Sequence, residues 1–112
     1  MKSISKVMAL VILAVGLPFL SGPALAVDND AGAALGKALF EQHCAVCHPN
    51  GGNIINPAKP LDKESLAANG IKSPADIVAI MRNPGPGMTP FGTGIIPDKA
   101  AMQLAEYILK TY

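Results

Sequence analysis

Tryptophan is absent from this 112-residue sequence, and phenylalanine and tyrosine together make up only 4% of it. A core built from such a chain is short of large side chains, and an internal planar apolar ligand would supply the missing bulk. Charge is also scarce. Asp, Glu, Lys and Arg are 15% of the residues and the net charge is +1, which excludes a disordered acidic or basic tail and leaves no electrostatic footprint for nucleic acid. No segment alternates convincingly as a strand does and none repeats. The length admits one small domain and excludes a multi-domain enzyme.

Apolar character is what the chain has in abundance, at 50% of residues, and the N-terminus distorts that average. Residues 1–26 have the three-part layout of a secretory signal. Lys2 and Lys6 form the positive region, residues 7–20 are an almost continuous apolar run, and Ala24-Leu25-Ala26 supplies the small residues a signal peptidase needs. Cleavage is expected after Ala26. A retained membrane anchor is the competing reading, but the run is shorter than the roughly 20 apolar residues that span a bilayer and is broken by Gly16 and Pro18. Processing leaves one domain, residues 27–112, with seven basic and eight acidic residues. Its cations are spread along the chain, so no strong positive field steers an acidic partner, and no stable membrane insertion is expected.

A domain of this size gains modest stability from a hydrophobic core alone, and small domains add a disulfide, metal or cofactor. The apolar spacing reads as four short helices. Asp30 is placed to cap the first, from Ala31 to about Gln42, with Leu35, Leu39 and Phe40 at helical spacing. Residues 49–60, rich in Asn, Gly and Pro, read as a loop wrapped over something. Asp62 caps a short helix through Asn69, closed by a left-handed Gly70. Ser73 caps the third, with Pro74 at its first position and Asp76 three residues after the cap; Ile77, Ile80 and Met81 mark its apolar face. Pro84-Gly85-Pro86-Gly87 stops that helix by Asn83. Asp98 is placed to cap the last, whose stripe is Ala101, Met102, Ala105, Ile108 and Leu109. On these grounds the fold class is small all-α.

The chemistry lies in Cys44-Ala45-Val46-Cys47-His48, the attachment pattern of a c-type haem. Two thiols three residues apart at a helix end can add to the two vinyl groups of one haem, and the adjacent His48 imidazole then reaches the iron from the proximal side. A disulfide between these cysteines would close only a very small loop and stabilise little. A thioredoxin-like pair belongs near a βαβ pattern, which is lacking. Zinc needs four ligands, and His43, Cys44, Cys47 and His48 are too crowded for the usual two-cluster spacing.

Other segments fall around that motif in a telling order. Gly36-Lys37-Ala38-Leu39-Phe40 leads into it, and Gly51-Gly52-Asn53 and Leu66-Ala67-Ala68-Asn69-Gly70 follow. Met88-Thr89-Pro90-Phe91-Gly92 and Ala105-Glu106-Tyr107-Ile108-Leu109 complete the set. With these segments the chain resembles the class I cytochromes c, most of all the cytochrome c6 family, over nearly all of residues 27–112. The resemblance implies one covalently attached haem c, bound through Cys44 and Cys47 and surrounded by about four short helices. It also implies that the first and last helices cross at close range, with Gly36 allowing the approach and Phe40 meeting Tyr107. Two features depart from the family: Pro49 directly follows the haem histidine, and Pro84-Gly85-Pro86-Gly87 replaces a more polar stretch. Both bear on the haem potential and the choice of partner.

The proximal iron ligand is His48, which is expected to donate its other ring N–H to a backbone carbonyl; the resemblance places that acceptor in residues 56–60. For the distal ligand Met88 matches the family position, forty residues after His48 in a Pro/Gly loop. Met81 and Met102 are its rivals on helical stripes, where methionine is more often core filler, and His43 reads as a solvent-facing residue at a helix C-terminus. Ligation by His and Met raises the reduction potential and leaves no open position for substrate, so an electron carrier is implied rather than an enzyme. The expected molecule is a soluble monomer that shuttles electrons from a membrane cytochrome complex to a photosystem, oxidase or reductase. It would meet its redox partners at an exposed haem edge framed by Ile54, Ile55, Pro86, Gly87 and Phe91. Two alternatives stand beside it: a haem-based ligand-binding or peroxidatic protein with a labile distal methionine, and a small haem subunit of a larger redox enzyme. The destination implied is the periplasm, with the thylakoid lumen second.

Overall fold

Helix boundaries in the computed structural model follow from local capping chemistry. The structure describes residues 29–112 together with Gly16 and Gly22; the expected signal segment otherwise lies outside the described residues. Four helices run in order: α1 (Asn29–His43), α2 (Lys63–Ala68), α3 (Pro74–Arg82) and α4 (Asp98–Thr111), with a tight 3-10 turn at Pro49–Gly51. No strand occurs among the described residues. The Asp62 side chain accepts the Ser65 N–H at the start of α2, and Ser73 and Asp76 form a reciprocal capping box at the start of α3. Backbone N–H groups of Ser65 and of Lys72 hold the Asp62 and Asp76 carboxyls, respectively, below the usual carboxylate range. Gly70 closes α2 with φ +78°.

Two expected caps are different. Asp30 lies inside the first turn of α1, where its charge meets the positive end of the helix dipole. Asp98 is the first residue of α4 and Pro97, whose side chain has no acceptor, its cap; the Asp98 carboxylate accepts from Arg82 Nη2 at 2.8 Å.

α4 packs against both α1 and α3. A Cβ placed on Gly36 would stand 2.5 Å from the Gln103 carbonyl oxygen and 2.7 Å from Tyr107 Cβ, so α1 and α4 touch backbone to backbone at this point. Phe40, one turn on, meets the rings of Tyr107 and Tyr112 at centroid distances of 5.8 and 5.4 Å. This glycine contact sets the rotational phase of α1. Gly36 and Phe40 are buried, Leu39 is half-buried, and Leu35, expected on the inner face, is exposed. In α4 the inner stripe is Ala101, Leu104, Ala105 and Ile108, whereas Met102 is turned outward. Leu66, Ile77, Met81 and Ile96 complete the core, and Ile96 and Leu104 are fully enclosed.

The two glycines that face α4 predict opposite signs. Gly32→Ala would meet only the flexible end of Gln103, at 3.1 Å, and gains about 1 kcal/mol of helix propensity. Gly36→Ala gains the same propensity, but its methyl meets backbone, and forcing the helices apart costs about 1–3 kcal/mol. Urea unfolding of the haem-loaded protein is expected to show Gly32→Ala neutral or stabilised and Gly36→Ala destabilised.

Candidate functional site

The Cys44–His48 pentapeptide continues the helical path of α1. Cys44 and Ala45 N–H both donate to the Phe40 carbonyl at 2.9 Å, and His48 N–H donates to that of Cys44 at 2.8 Å. Pro49, which has no N–H to give, then begins a different turn. One helical exit therefore carries Cys44, Cys47 and His48, and all three line one cavity. Both thiols are free; Cys44 is buried and Cys47 half-buried. Burial pushes the Cys44 thiol up to about 11, so it is neutral at physiological pH.

The turn after His48 coils back onto its ring. Asn50 (φ 53°) and Gly51 (φ 77°) are both left-handed, and Gly52 N–H donates to the Pro49 carbonyl at 2.9 Å. This brings the Gly52 carbonyl 2.8 Å from His48 Nδ1. A carbonyl only accepts, so that partner assigns the proton to Nδ1 and leaves the lone pair of Nε2 free for a metal. The orienting acceptor is thus Gly52 and not a residue of the 56–60 segment, whose backbone is engaged locally. Asn53 Oδ1 accepts from the Ile55 and Asn56 amides at 3.1 and 2.8 Å, and Asn53 Nδ2 donates to the Lys59 carbonyl at 3.1 Å. Asn53 organises this loop, a role its sequence position does not disclose. Gly51 is covered by Tyr112, whose ring a Cβ at that position would run into.

Met88 comes to the same cavity from the segment between α3 and α4, and it is half-buried. Of its rivals, Met81 lines the cavity but is packed in the core at 3% exposure, and Met102 sits on the outer side of α4 away from it. His43 is not the solvent-facing residue expected: it is half-buried, lines the cavity and sets its ring edge-on to Phe91 at 5.7 Å. Gly87, with φ +91°, comes so near Ile55 that a Cβ would stand 2.9 Å from its Cγ2, so the two loops meet at the cavity mouth.

The cavity measures ≈ 610 Å³, within the range of about 300–1,000 Å³ usual for cofactor sites. Its walls are mainly apolar, with Lys59 as their one Lys or Arg and no carboxylate. Ile55 and Ile80, exposed by 60% and 39%, border it. Among the described residues no group of three or more His, Cys, Asp or Glu side chains could hold a metal ion. An iron bound between His48 and a methionine sulfur would have to bring its own equatorial ligands. A flat apolar macrocycle fits that requirement, the wall chemistry and the exposed isoleucines together.

Residues 31–108 match the family described as cytochrome c oxidase, cbb3-type, subunit III. Cytochrome c6 of Synechocystis sp. is 44% identical over 94 residues, 84% of this chain and 74% of that protein. Cytochrome c6 of Rippkaea orientalis is 40% identical over 90 residues, 80% of this chain and 77% of that protein. Among solved structures, the outer membrane cytochrome OmcF of Geobacter sulfurreducens superimposes with a TM-score of 0.67 at 45% identity, covering 69% of this chain and 98% of that one. Cytochrome c6C of a Synechococcus species does so with a TM-score of 0.64 at 33% identity, covering 68% and 92%.

Two glycines with nearly the same φ separate backbone strain from crowding. Gly70 has nothing within 4 Å of its missing Cβ, whereas Gly51 lies under Tyr112. Gly70→Ala is expected to cost about 1–2 kcal/mol, the penalty of a left-handed L-residue, and Gly51→Ala measurably more in urea unfolding.

Proposed function

The chain belongs to the class I cytochromes c, with cytochromes c6 among its relatives, and from that premise we propose its ligands, its route of export and its place in electron transfer. Proteins of this kind are electron carriers, not enzymes, and hold one covalently attached haem c. In our reading Cys44 and Cys47 are the thioether positions, His48 the proximal iron ligand and Met88 the distal one. The observation that carries it is the convergence of these four side chains on one apolar cavity, with His48 Nδ1 already committed to Gly52.

Bound here, haem supplies a one-electron couple whose ferrous state a methionine sulfur favours, which raises the potential. The protein's contribution is to hold ligands and exclude water. His48 is fixed in tautomer and rotation by the Gly52 carbonyl. Ile77, Met81 and Ile108 line the interior of the cavity. Ile55, exposed by 60%, frames its mouth with Pro86 and Gly87, and Phe91 lines it half-buried; Ile54, expected at this edge, does not line the cavity. A mouth with so little charge suits brief apolar encounters, and we assign the protein to shuttling between a membrane cytochrome complex and a terminal oxidase, reductase or photosystem, as a monomer.

The signal-like residues 1–26 support export to the periplasm, ahead of a thylakoid lumen. Among the described residues no helix is long and apolar enough to cross a membrane. One further reading has an observation in its favour: the Pro84-Gly85-Pro86-Gly87 segment could release Met88 and open the iron to external ligands. The description of the matching family as an oxidase subunit favours a third, a haem subunit bound to a larger enzyme; purification of the mature protein with a partner would support it.

Spectroelectrochemical titration of the haem-loaded protein tests the carrier reading. A methionine-to-ferric-iron charge-transfer band, a clearly positive midpoint and indifference to carbon monoxide are expected, with the band lost in Met88→Ala. A parent without the band that binds carbon monoxide rapidly would instead establish the ligand-binding reading.

Intact-mass measurement on protein expressed with export and haem-maturation machinery checks the processing. The expected species begins at Val27 and carries one haem that persists through denaturation; a mass retaining residues 1–26 would show an uncleaved leader.

A further inference from the structure

The segment that brings Met88 to the cavity has little internal support. Pro84 and Pro86 carry no N–H, and the one backbone bond inside residues 83–90 runs from Met88 N to the Gly85 carbonyl at 3.5 Å, long for a hydrogen bond. Its exit is fastened instead. Phe91 N–H donates to the Met81 carbonyl at 2.8 Å, and Arg82 Nη1 donates to the Phe91 carbonyl at 2.9 Å, so Phe91 is bound through both backbone groups to the last turn of α3. The other arm of the same guanidinium, Nη2, reaches Asp98 Oδ1 at 2.8 Å at the start of α4. One side chain thereby spans α3, the end of the methionine segment and α4, a task for which the rigid fork of arginine is suited.

The two arms differ in weight. Asp98 is 80% exposed and the Arg82 side chain 21%; an ion pair open to water on one side contributes little. A charge-assisted bond to a part-buried carbonyl contributes more, and its loss leaves that carbonyl unpaired.

We propose that Arg82 is a positioning residue for the distal ligand: by clamping Phe91 to the end of α3 it keeps Met88 over the haem iron and sets how readily Met88 yields that place to an external ligand. The inference rests on the assignment of Met88 made above. It explains how a Pro/Gly segment with almost no bonds of its own presents a fixed thioether, and it identifies the contact whose removal turns a carrier into a ligand-binding haem protein.

The test uses the ferric haem-loaded protein and its Arg82→Met, Arg82→Lys and Asp98→Asn variants. Cyanide binding is timed, and the methionine charge-transfer band is followed through a urea titration alongside far-ultraviolet circular dichroism. In Arg82→Met, cyanide is expected to bind about tenfold faster, the scale of one lost charge-assisted hydrogen bond, and the band to disappear at lower urea than the helices unfold. A merely structural role would move the two transitions together. Arg82→Lys restores part of the parent behaviour, Asp98→Asn stays close to the parent, and the Phe91 amide of the ferrous protein exchanges faster in Arg82→Met while amides of α1 do not. A folded Arg82→Met with the parent's cyanide rate and coincident transitions overturns the inference; if that variant does not fold, Arg82→Gln decides by the same readings. A parent lacking the band overturns the Met88 assignment and this inference with it, whereas a parent with the band and unresponsive variants overturns the inference alone.

Discussion

The backbone contact of α1 with α4 at Gly36 fixes the geometry on which the site depends. Because no Cβ stands between the helices, Phe40 can meet Tyr107 and Tyr112 one turn later. The Cys44–His48 exit leaves α1 directly after this aromatic contact, since Cys44 and Ala45 both bond to the Phe40 carbonyl. The same crossing places the end of α4 over the next turn, where the Tyr112 ring lies on Gly51. Helix packing and the orientation of His48 are therefore linked: Tyr112 lies against the turn whose Gly52 carbonyl accepts the imidazole N–H.

The two sides of the cavity are built on different principles. On the His48 side the loop supports itself: Asn53 ties three backbone groups between Ile55 and Lys59, and Leu61 N–H returns to the Gly51 carbonyl at 2.7 Å. On the Met88 side the chain has almost no bonds within the segment and relies on attachments at its ends. A self-bonded loop keeps its shape locally, whereas an end-fastened one opens when an end is freed. The asymmetry gives permanence to the His48 side and adjustability to the Met88 side.

Much of this is legible in the sequence itself. Ser73 at the head of α3, Asp62 at the head of α2 and Gly70 at its close are set by bonds within a few residues, and the structure has them as expected, with Asp76 adding a reciprocal bond to the Ser73 cap. Cys44, Cys47, His48 and Met88 come to one cavity, though which atoms bind the iron is settled by chemistry beyond the polypeptide. Two of the departures from expectation depend on contacts distant in the chain, and a third on local backbone conformation. Leu35 looked like core because hydrophobic periodicity does not reveal that a glycine makes the helix contact, and Asp98 looked like a cap because Arg82, its true partner, comes sixteen residues earlier. The acceptor for His48 was expected too far along because consecutive left-handed conformations at Asn50 and Gly51 fold the chain back sooner than composition indicates.

Scarcity of large side chains and the size of the cavity are two aspects of one problem. A cavity of ≈ 610 Å³ with apolar walls occupies the middle of a domain that has no tryptophan and few aromatic residues. Empty, such walls lose dispersion contacts on one side and expose Ile55 and Ile80 to water. A planar macrocycle filling the space turns them into core, so that its binding energy becomes folding energy. A filler held only by noncovalent contacts would leave whenever the chain opened, and a domain this small gains only modest stability from its core. Covalent attachment removes that route, because the chain can then unfold without losing the group around which it refolds. On this argument covalent attachment belongs to the stability of the fold as much as to the chemistry of the iron.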